Sequence, residues 1–285
     1  MRRLCRIGAS FLFIAYMATT FGCKSHLKAQ RIAPQQITAT EESASSLTPK
    51  AGAIPPEKDY WDTADVDVSR VDPKRKLIAF TFDDAPASTL DAIVGAFLGF
   101  NSTHLDAPAT ATLFCNGMRL RPLTAQSVEI ALTAGFELGN HTQNHYDLSK
   151  LSLSEIRQEI DETDKLLSRF DGKTLHLLRA PYGNVCENVR MQARTPIISW
   201  FIDTKDWTGI PAKQIYQSVW EQKHAGVIVL MHDGYPHTVS ALKLLLPDLY
   251  DAGYQAVSVS QMAKAHQCQL KIGDVYTRAR NLNRR

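Results

Sequence analysis

Along most of this chain, apolar residues recur with one of two spacings, a strand period or a helix period. From Lys76, "KLIAFTF" is a short apolar run with β-branched and aromatic members, which predicts a strand. "STLDAIVGAFLGF" then switches to helical spacing. "ATATLFCNG" predicts a second strand ending in a turn, "TAQSVEIALTAG" a helix stopped at Gly135, and "FELGNH" a third strand. "SLSEIRQEIDETDKLLSRF" carries the clearest amphipathic stripe, with Ser152 or Ser154 as its N-cap. "LHLLRAPYG", "PIISWFID" and "GVIVLMHD" predict further strands, with a helix, "AKQIYQSVWEQK", between the last two. "TVSALKLLLPDLYDAG" reads as a helical stretch interrupted at Pro247, and "YQAVSVSQM" closes the series. Strands alternating with helices over about 195 residues predict an α/β fold with a largely parallel sheet. The pattern alone does not separate a closed barrel from an open sheet.

The first seventy residues follow neither period. "MRRLCRIGASFLFIAYMATTFGC" has three arginines, an apolar run from about Ile7 to Met17, then small and polar residues. That layout predicts a secretory signal peptide over 1–22, the apolar run being short for a membrane span. Gly22-Cys23 resembles a bacterial lipobox, which makes Cys23 the expected lipid-bearing residue and the membrane an expected partner. Residues 23–70 are expected to be a linker, and 24–58 in particular are rich in Ala, Ser, Thr, Gln and Pro. The chain is thereby placed outside the cytoplasm, in a periplasm or cell envelope.

Composition adds bounds. The 285 residues are 44% hydrophobic, enough for one sizeable core. Net charge is only +3, and no basic face interleaved with aromatics is present, so nucleic acid is not an expected partner. Positive charge collects in the last fifteen residues, and 269–285 is expected to be a solvated basic tail. Cys5 and Cys23 belong to the export segment. Of Cys115, Cys186 and Cys268, the first sits in an apolar run and reads as a buried small hydrophobe. Cys186 with Cys268 is the more plausible disulfide.

The polar residues at the strand ends carry the chemistry. In "FTFDD", "LLRAPY", "WFIDTKDW" and "IVLMHD", groups able to move protons or bind ions sit where an apolar strand stops, the edge at which parallel α/β folds build sites. His141 and His145 are four apart, one turn if helical, so both rings can face one ion. Asp83 and Asp84 point to opposite faces of a regular strand and reach one site only where the strand ends or bulges. One could then ligate while the other acts as base. Arg179 suits a buried carboxylate, and Pro181 and Gly183 force a bend that can aim a backbone N–H. Asp203 and Asp206 offer carboxylates to a histidine, Trp207 a flat face for a sugar ring, and His232 a general acid.

"TFDD", "HTQNH", "RAPY", "DTKDW" and "LMH" occur in the order and spacing that resemble the polysaccharide deacetylases, carbohydrate esterase family four. The resemblance covers about Asp72 to Cys268, and the catalytic domain is expected over 71–268. Ala85 departs from it where the family usually has Gly, and "GFNSTHLDAP" is longer than usual. The resemblance implies a distorted, incomplete (β/α) barrel with a divalent metal, commonly zinc, with cobalt or another divalent ion also able to serve. It implies Asp84, His141 and His145 as metal ligands, Asp83 as general base with Arg179 its tuning partner, and His232 as general acid oriented by Asp206. Leu230 and Trp207 are implied to line the acetyl pocket, and the Tyr182 N–H to help hold the oxyanion. The expected activity is removal of N-acetyl groups from an N-acetylated glycan, peptidoglycan N-acetylglucosamine favoured, by a monomer. Chitooligosaccharide or O-acetylated xylan are the alternative substrates, and a non-catalytic glycan-binding lipoprotein is the rival from another class.

Overall fold

The computed structural model describes residues 59–279. The expected signal peptide, Cys23 and the linker as far as residue 58 lie outside the described residues.

The strand β1 (Lys76–Ala85) is the hub of the sheet. It pairs in parallel with three strands: β2 (Thr112–Cys115), β6 (Ile228–His232) and β7 (Tyr254–Val257). β6 runs along one edge, while β7 and then β2 share the other, since Ala79 pairs with both β6 and β7 and Thr81 with both β6 and β2. β3 (Glu137–Asn140) extends the sheet from β2, and β5 (Ile202–Asp203) from β6, giving the order β3-β2-β1-β6-β5. β4 (Ile197–Ile198) pairs with β8 (Val275–Tyr276). Leu178 bridges β3 at Asn140 and β4 at Ile197. The ring of strands therefore returns to β6 only through a one-residue bridge and a split segment, 197–203. This is a distorted, incomplete barrel with every strand pair parallel.

β1 is buried on both faces, which is why it reads as a continuous apolar run. Its even positions, Ile78, Phe80 and Phe82, pack outward against α1 (Leu90–Asn101) and α6 (Pro236–Asp251) in the main core. Each large side chain fully buried there contributes roughly 1.5–3 kcal/mol. Its odd positions, Leu77, Ala79, Thr81 and Asp83, fall on the opposite face by the two-residue alternation of a strand. Leu77 and Ala79 join Phe114 and Ile228 in a second, interior cluster. Cross-strand register sets Thr81 against Leu230 and Asp83 against His232. The remaining helices are α2 (Pro122–Thr133), α3 (Leu153–Asp171), α4 (Glu187–Gln192), α5 (Ala212–Gln222) and α7 (Val259–Ala265). Ser152 caps α3 through a capping box with Glu155. No helix among the described residues is long and apolar enough to cross a membrane.

Several expectations need correction. "LHLLRAPYG" keeps only the Leu178 bridge of its predicted strand, and "PIISWFID" splits into β4 and β5, because Ser199 and Trp200 lie between two different pairings. α6 runs through Pro247 unbroken. Its buried stripe (Val239, Leu242, Leu245, Leu246, Leu249) outweighs the one hydrogen bond that proline removes. The tail is not solvated as far as it is described: β8 pairs with β4, Arg278 bridges Val227, and Ala279 is buried. Within the expected linker, 59–70 packs on the domain as a strap. Tyr60 bridges Lys271, Trp61 donates to Ser260 Oγ at 3.0 Å, and Lys264 donates to the carbonyls of Ala64 and Val66. Cys186 and Cys268 do not pair. Both are free, Cys186 packed beside Val189 and Leu148, Cys268 in the cluster around Met262 and Leu270.

Candidate active site

Asp83 and Asp84 reach one site because β1 breaks its register between Phe82 and Ala85. Asp84 adopts the left-handed region at φ 61°, which turns its side chain back from the outer face. Asp83 stays on the interior face and is buried.

Arg179 is the largest fully buried side chain among the described residues. Nη1 donates to Asp83 Oδ1 and to Thr81 Oγ1, both at 2.7 Å, Nε to the Ile198 carbonyl at 2.9 Å and Nη2 to the Ser199 carbonyl at 3.1 Å. The guanidinium lies 4.0 Å over the Phe114 ring. Burial works to raise the Asp83 pKa. The Arg179 guanidinium leads the influences that outweigh it and hold the carboxyl below its ordinary value. Burial also pulls Arg179 down, but from so high a value that it remains a cation. Asp83 is thus an ionised carboxylate inside the barrel, suited to accept a proton.

The "HTQNH" segment does not form the expected helical turn. It is a loop with Thr142 at φ 66° and His145 at φ 59°. Local side chains fix this shape. Asn140 Oδ1 accepts the Thr142 N–H at 2.9 Å, and its Nδ2 donates to the Ile160 carbonyl at 2.8 Å and to Asp164 Oδ1 at 2.9 Å. Glu159 accepts the Asn144 N–H at 2.8 Å and its side-chain amide at 2.7 Å. Helix α3 is therefore the template on which the loop sits. Sequence reasoning missed Glu159, Asn140 and Asp164, yet a signal existed: Glu159, Thr163 and Asp164 share the buried stripe of α3 with Ile156, Ile160 and Leu167. Polar residues at core positions need partners. On the β2 side, a Cβ at Gly117 would run into the Gln143 amide and Thr163 Oγ1, so a larger residue there would have to push the Gln143 side chain aside.

The loop still brings the two imidazoles together, ring centroids 4.9 Å apart. One ligand atom from each of Asp84, His141 and His145 falls within 4.8 Å of the others. His141 Nδ1 lies 2.8 Å from the Arg179 carbonyl, which can only accept, so Nδ1 carries the proton and Nε2 presents its lone pair. Burial, followed by the neighbouring His141, lowers the His145 pKa and favours the neutral ring a metal requires. One carboxylate and two neutral imidazoles fit a divalent ion such as zinc.

On the far side, the Asp206 carboxylate is fully buried and accepts four hydrogen bonds. They come from the His232 N–H and Nδ1 at 2.8 Å each, Thr238 Oγ1 at 2.7 Å and the Trp207 N–H at 3.0 Å. His237, given no role in the sequence, donates to the Asp206 carbonyl at 2.6 Å. Burial works to lower the His232 pKa, but the Asp206 bond and the Asp83 charge raise it above the ordinary histidine value. His232 therefore stands opposite Asp83 as a group that holds its proton. Asp203 is not part of this network. Its carboxylate receives the Lys205 N–H and the Lys205 ammonium instead.

Tyr182 sits in a 3-10 turn, Pro181–Gly183, with φ 61°, its ring 4.9 Å from His145. Gly183 is demanded twice over, by φ 71° and by Trp200, which would lie 2.8 Å from a Cβ there. Leu230 is on the interior face of β6, two residues below His232. Trp207 is half-exposed on the turn after Lys205.

A family profile described as polysaccharide deacetylase matches residues 70–195. The chain is 33% identical over 193 residues to the peptidoglycan-N-acetylmuramic acid deacetylase PdaC of Bacillus subtilis, a match spanning 67% of this chain and 40% of that protein. It is 33% identical over 197 residues to a peptidoglycan-N-acetylglucosamine deacetylase of Bacillus cereus, spanning 66% of this chain and 89% of that one. A solved structure of peptidoglycan deacetylase PdaC from Bacillus subtilis superposes with a TM-score of 0.62 at 31% identity, over 69% of this chain and 94% of that one. The shared fold and the relative matched over nearly its whole length place this chain in the polysaccharide deacetylase family.

Proposed function

We propose that this chain is a metal-dependent deacetylase that hydrolyses N-acetyl groups on an exported glycan, with peptidoglycan N-acetylglucosamine as substrate. The observation that carries the reading is the pairing of Asp83 and His232. They are cross-strand partners at one sheet edge, pushed to opposite protonation states beside a His/His/Asp triad. A zinc or other divalent ion on Asp84, His141 and His145 would supply Lewis acidity toward an acetyl carbonyl and acidify water. Asp83 takes the proton from the water that attacks the acetyl carbon. The Tyr182 N–H donates to the oxygen that becomes anionic. Leu230 and Trp207 wall the acetyl methyl. His232 then gives the Nε2 proton to the amine, which leaves poorly unless protonated. Export through 1–22, a lipid on Cys23 and action as a monomer complete the reading.

The test is mass spectrometry of acetate loss from peptidoglycan fragments, chitooligosaccharides and acetylated xylan side by side, with His141→Ala as control. Acetate release and metal retention should disappear together in that variant. Full activity in a variant that holds no metal would sink the assignment. Release from xylan alone, little changed by His232→Ala, would make the protein an O-acetyl esterase instead, because an alkoxide leaves more easily than an amide nitrogen.

A further inference from the structure

Asp84 lies in the left-handed region at φ 61°, a conformation that an aspartate keeps only where its surroundings impose it. Upstream, the chain is fixed by the pairing of β1 with β6, which sets Asp83 against His232. Downstream, something must hold the five residues between Asp84 and the start of α1 at Leu90. The Asn116 N–H does part of this, donating to the Ala85 carbonyl at 2.8 Å. The rest falls to Asp233, a carboxylate that the proposed chemistry does not use and that is only 2% exposed.

Asp233 Oδ2 accepts the Ala87 N–H at 2.5 Å, and Oδ1 accepts the Thr89 N–H at 3.0 Å and the Thr89 hydroxyl at 2.7 Å. The Thr89 oxygen in turn accepts the Gly234 N–H at 2.7 Å. The Asp233 N–H donates to the Asp83 carbonyl at 3.0 Å. The loop after β1, which follows Asp83 and Asp84, is therefore laced to the loop after β6, which follows His232. Thr89 is the N-cap of α1, yet its side chain makes no cap bond to that helix. A hydroxyl that would ordinarily satisfy a helix N-terminus is spent on the lacing instead. Both Asp233 and Thr89 are buried, so each bond is shielded from competing water and each lost acceptor leaves a donor unpaired.

We propose that Asp233 is a positioning residue, which clasps the loop after β1 to the loop after β6 and so fixes the direction of the Asp84 carboxylate relative to the His232 ring. It rests on the deacetylase reading and adds a residue that acts through Asp84 and His232 rather than on the substrate. A drift of roughly 0.5 Å in such a carboxylate is enough to spoil a metal site.

Asp233→Asn keeps the side chain's shape but turns an N–H2 toward Ala87 or Thr89, whichever way the amide lies. Zinc affinity by chelator competition should fall about 10–100-fold. The visible absorption of the cobalt-loaded protein, which reports ligand geometry, should shift. At saturating metal, kcat for acetate release from a peptidoglycan fragment should fall on the order of 10–100-fold with KM near the wild-type value. Thr89→Val removes the hydroxyl at similar volume and should move the same readouts in the same direction, while Thr89→Ser restores them. A folded Asp233→Asn or Thr89→Val that melts earlier but keeps wild-type zinc affinity and cobalt absorption overturns the clasp, leaving only a stabilising bond. If Asp233→Asn fails to fold, the Thr89 pair decides by the same criteria. If no glycan releases acetate from the wild type, yet both substitutions weaken zinc and shift the cobalt absorption, the clasp stands and the deacetylase reading fails.

Discussion

Replacing Arg179 by methionine tests the interior of the site most directly. The substitution keeps an unbranched apolar stem over Phe114 but removes four hydrogen bonds and the only cation bonded to the Asp83 carboxylate among the described residues. Asp83 is then a buried charge without its partner, which costs about 3–5 kcal/mol. For a domain of roughly 200 residues, each kcal/mol moves Tm by about 2–4 °C, so Tm should fall by roughly 6–20 °C. Removing the second charge as well, in Asp83→Asn/Arg179→Met, should return a coupling on the order of 2 kcal/mol. The pH dependence supplies a further check. The Asp83 pKa is depressed in the folded protein, so its share of stability is present above the unfolded value and disappears as pH falls through the folded one. The gap between wild type and Arg179→Met should therefore narrow as the solution is acidified below about pH 4. Thermal and denaturant melts from pH 7 to pH 3, in excess chelator so that no metal contributes, measure all of this. A gap constant across that range, or a double variant as unstable as the sum of the singles, would refute the argument.

Three more outcomes are expected. Asp206→Asn removes the main influence that raises the His232 pKa, so the alkaline limb of the pH–rate profile should move to lower pH; a limb that stays in place removes Asp206 from that role. Glu159→Gln exchanges an acceptor for a donor beside the Asn144 amide, and zinc affinity by chelator competition should drop by about 10–100-fold; unchanged affinity would show that α3 does not template the loop. His176 donates to Asp164 at 3.0 Å and Asp171 at 3.2 Å, and although burial works to lower its pKa, the two carboxylates raise it above 6.5. Its contribution is full below that unfolded value and is lost as pH rises through the folded one, so the Tm deficit of His176→Gln should be larger at pH 5.5 than at pH 9.

What could be read in advance follows from how local each cause is. The strand–helix alternation was legible because both faces of β1 are covered and α3 keeps a long amphipathic stripe. The strand-end residues were legible because the period of two fixes where Asp83 and His232 point once their strands are recognised. The shape of the "HTQNH" loop was not. A spacing of four suits a helical turn, and what forbids one here lies about twenty residues away, in Glu159 and Asp164. Pro247 misled for a similar reason, since its local cost is offset by packing that only the assembled α6 reveals. Cys186 and Cys268 were paired on compartment and parity alone, and neither argument carries distance.

The strap consisting of residues 59–70 has a mechanical consequence. It packs beside the first residues of the strands: Gln255, the cross-strand partner of Leu77, donates to the Arg70 carbonyl, and Ser260, which holds Trp61, also donates to Glu137 at the start of β3. Asp84 is the penultimate residue of β1, His141 follows the last residue of β3, and His145 comes four residues later. Asp59 and the strap thus lie at the end of the domain away from the catalytic edge. A pull applied at Asp59 would load the strap and β7 before it reached the metal loop.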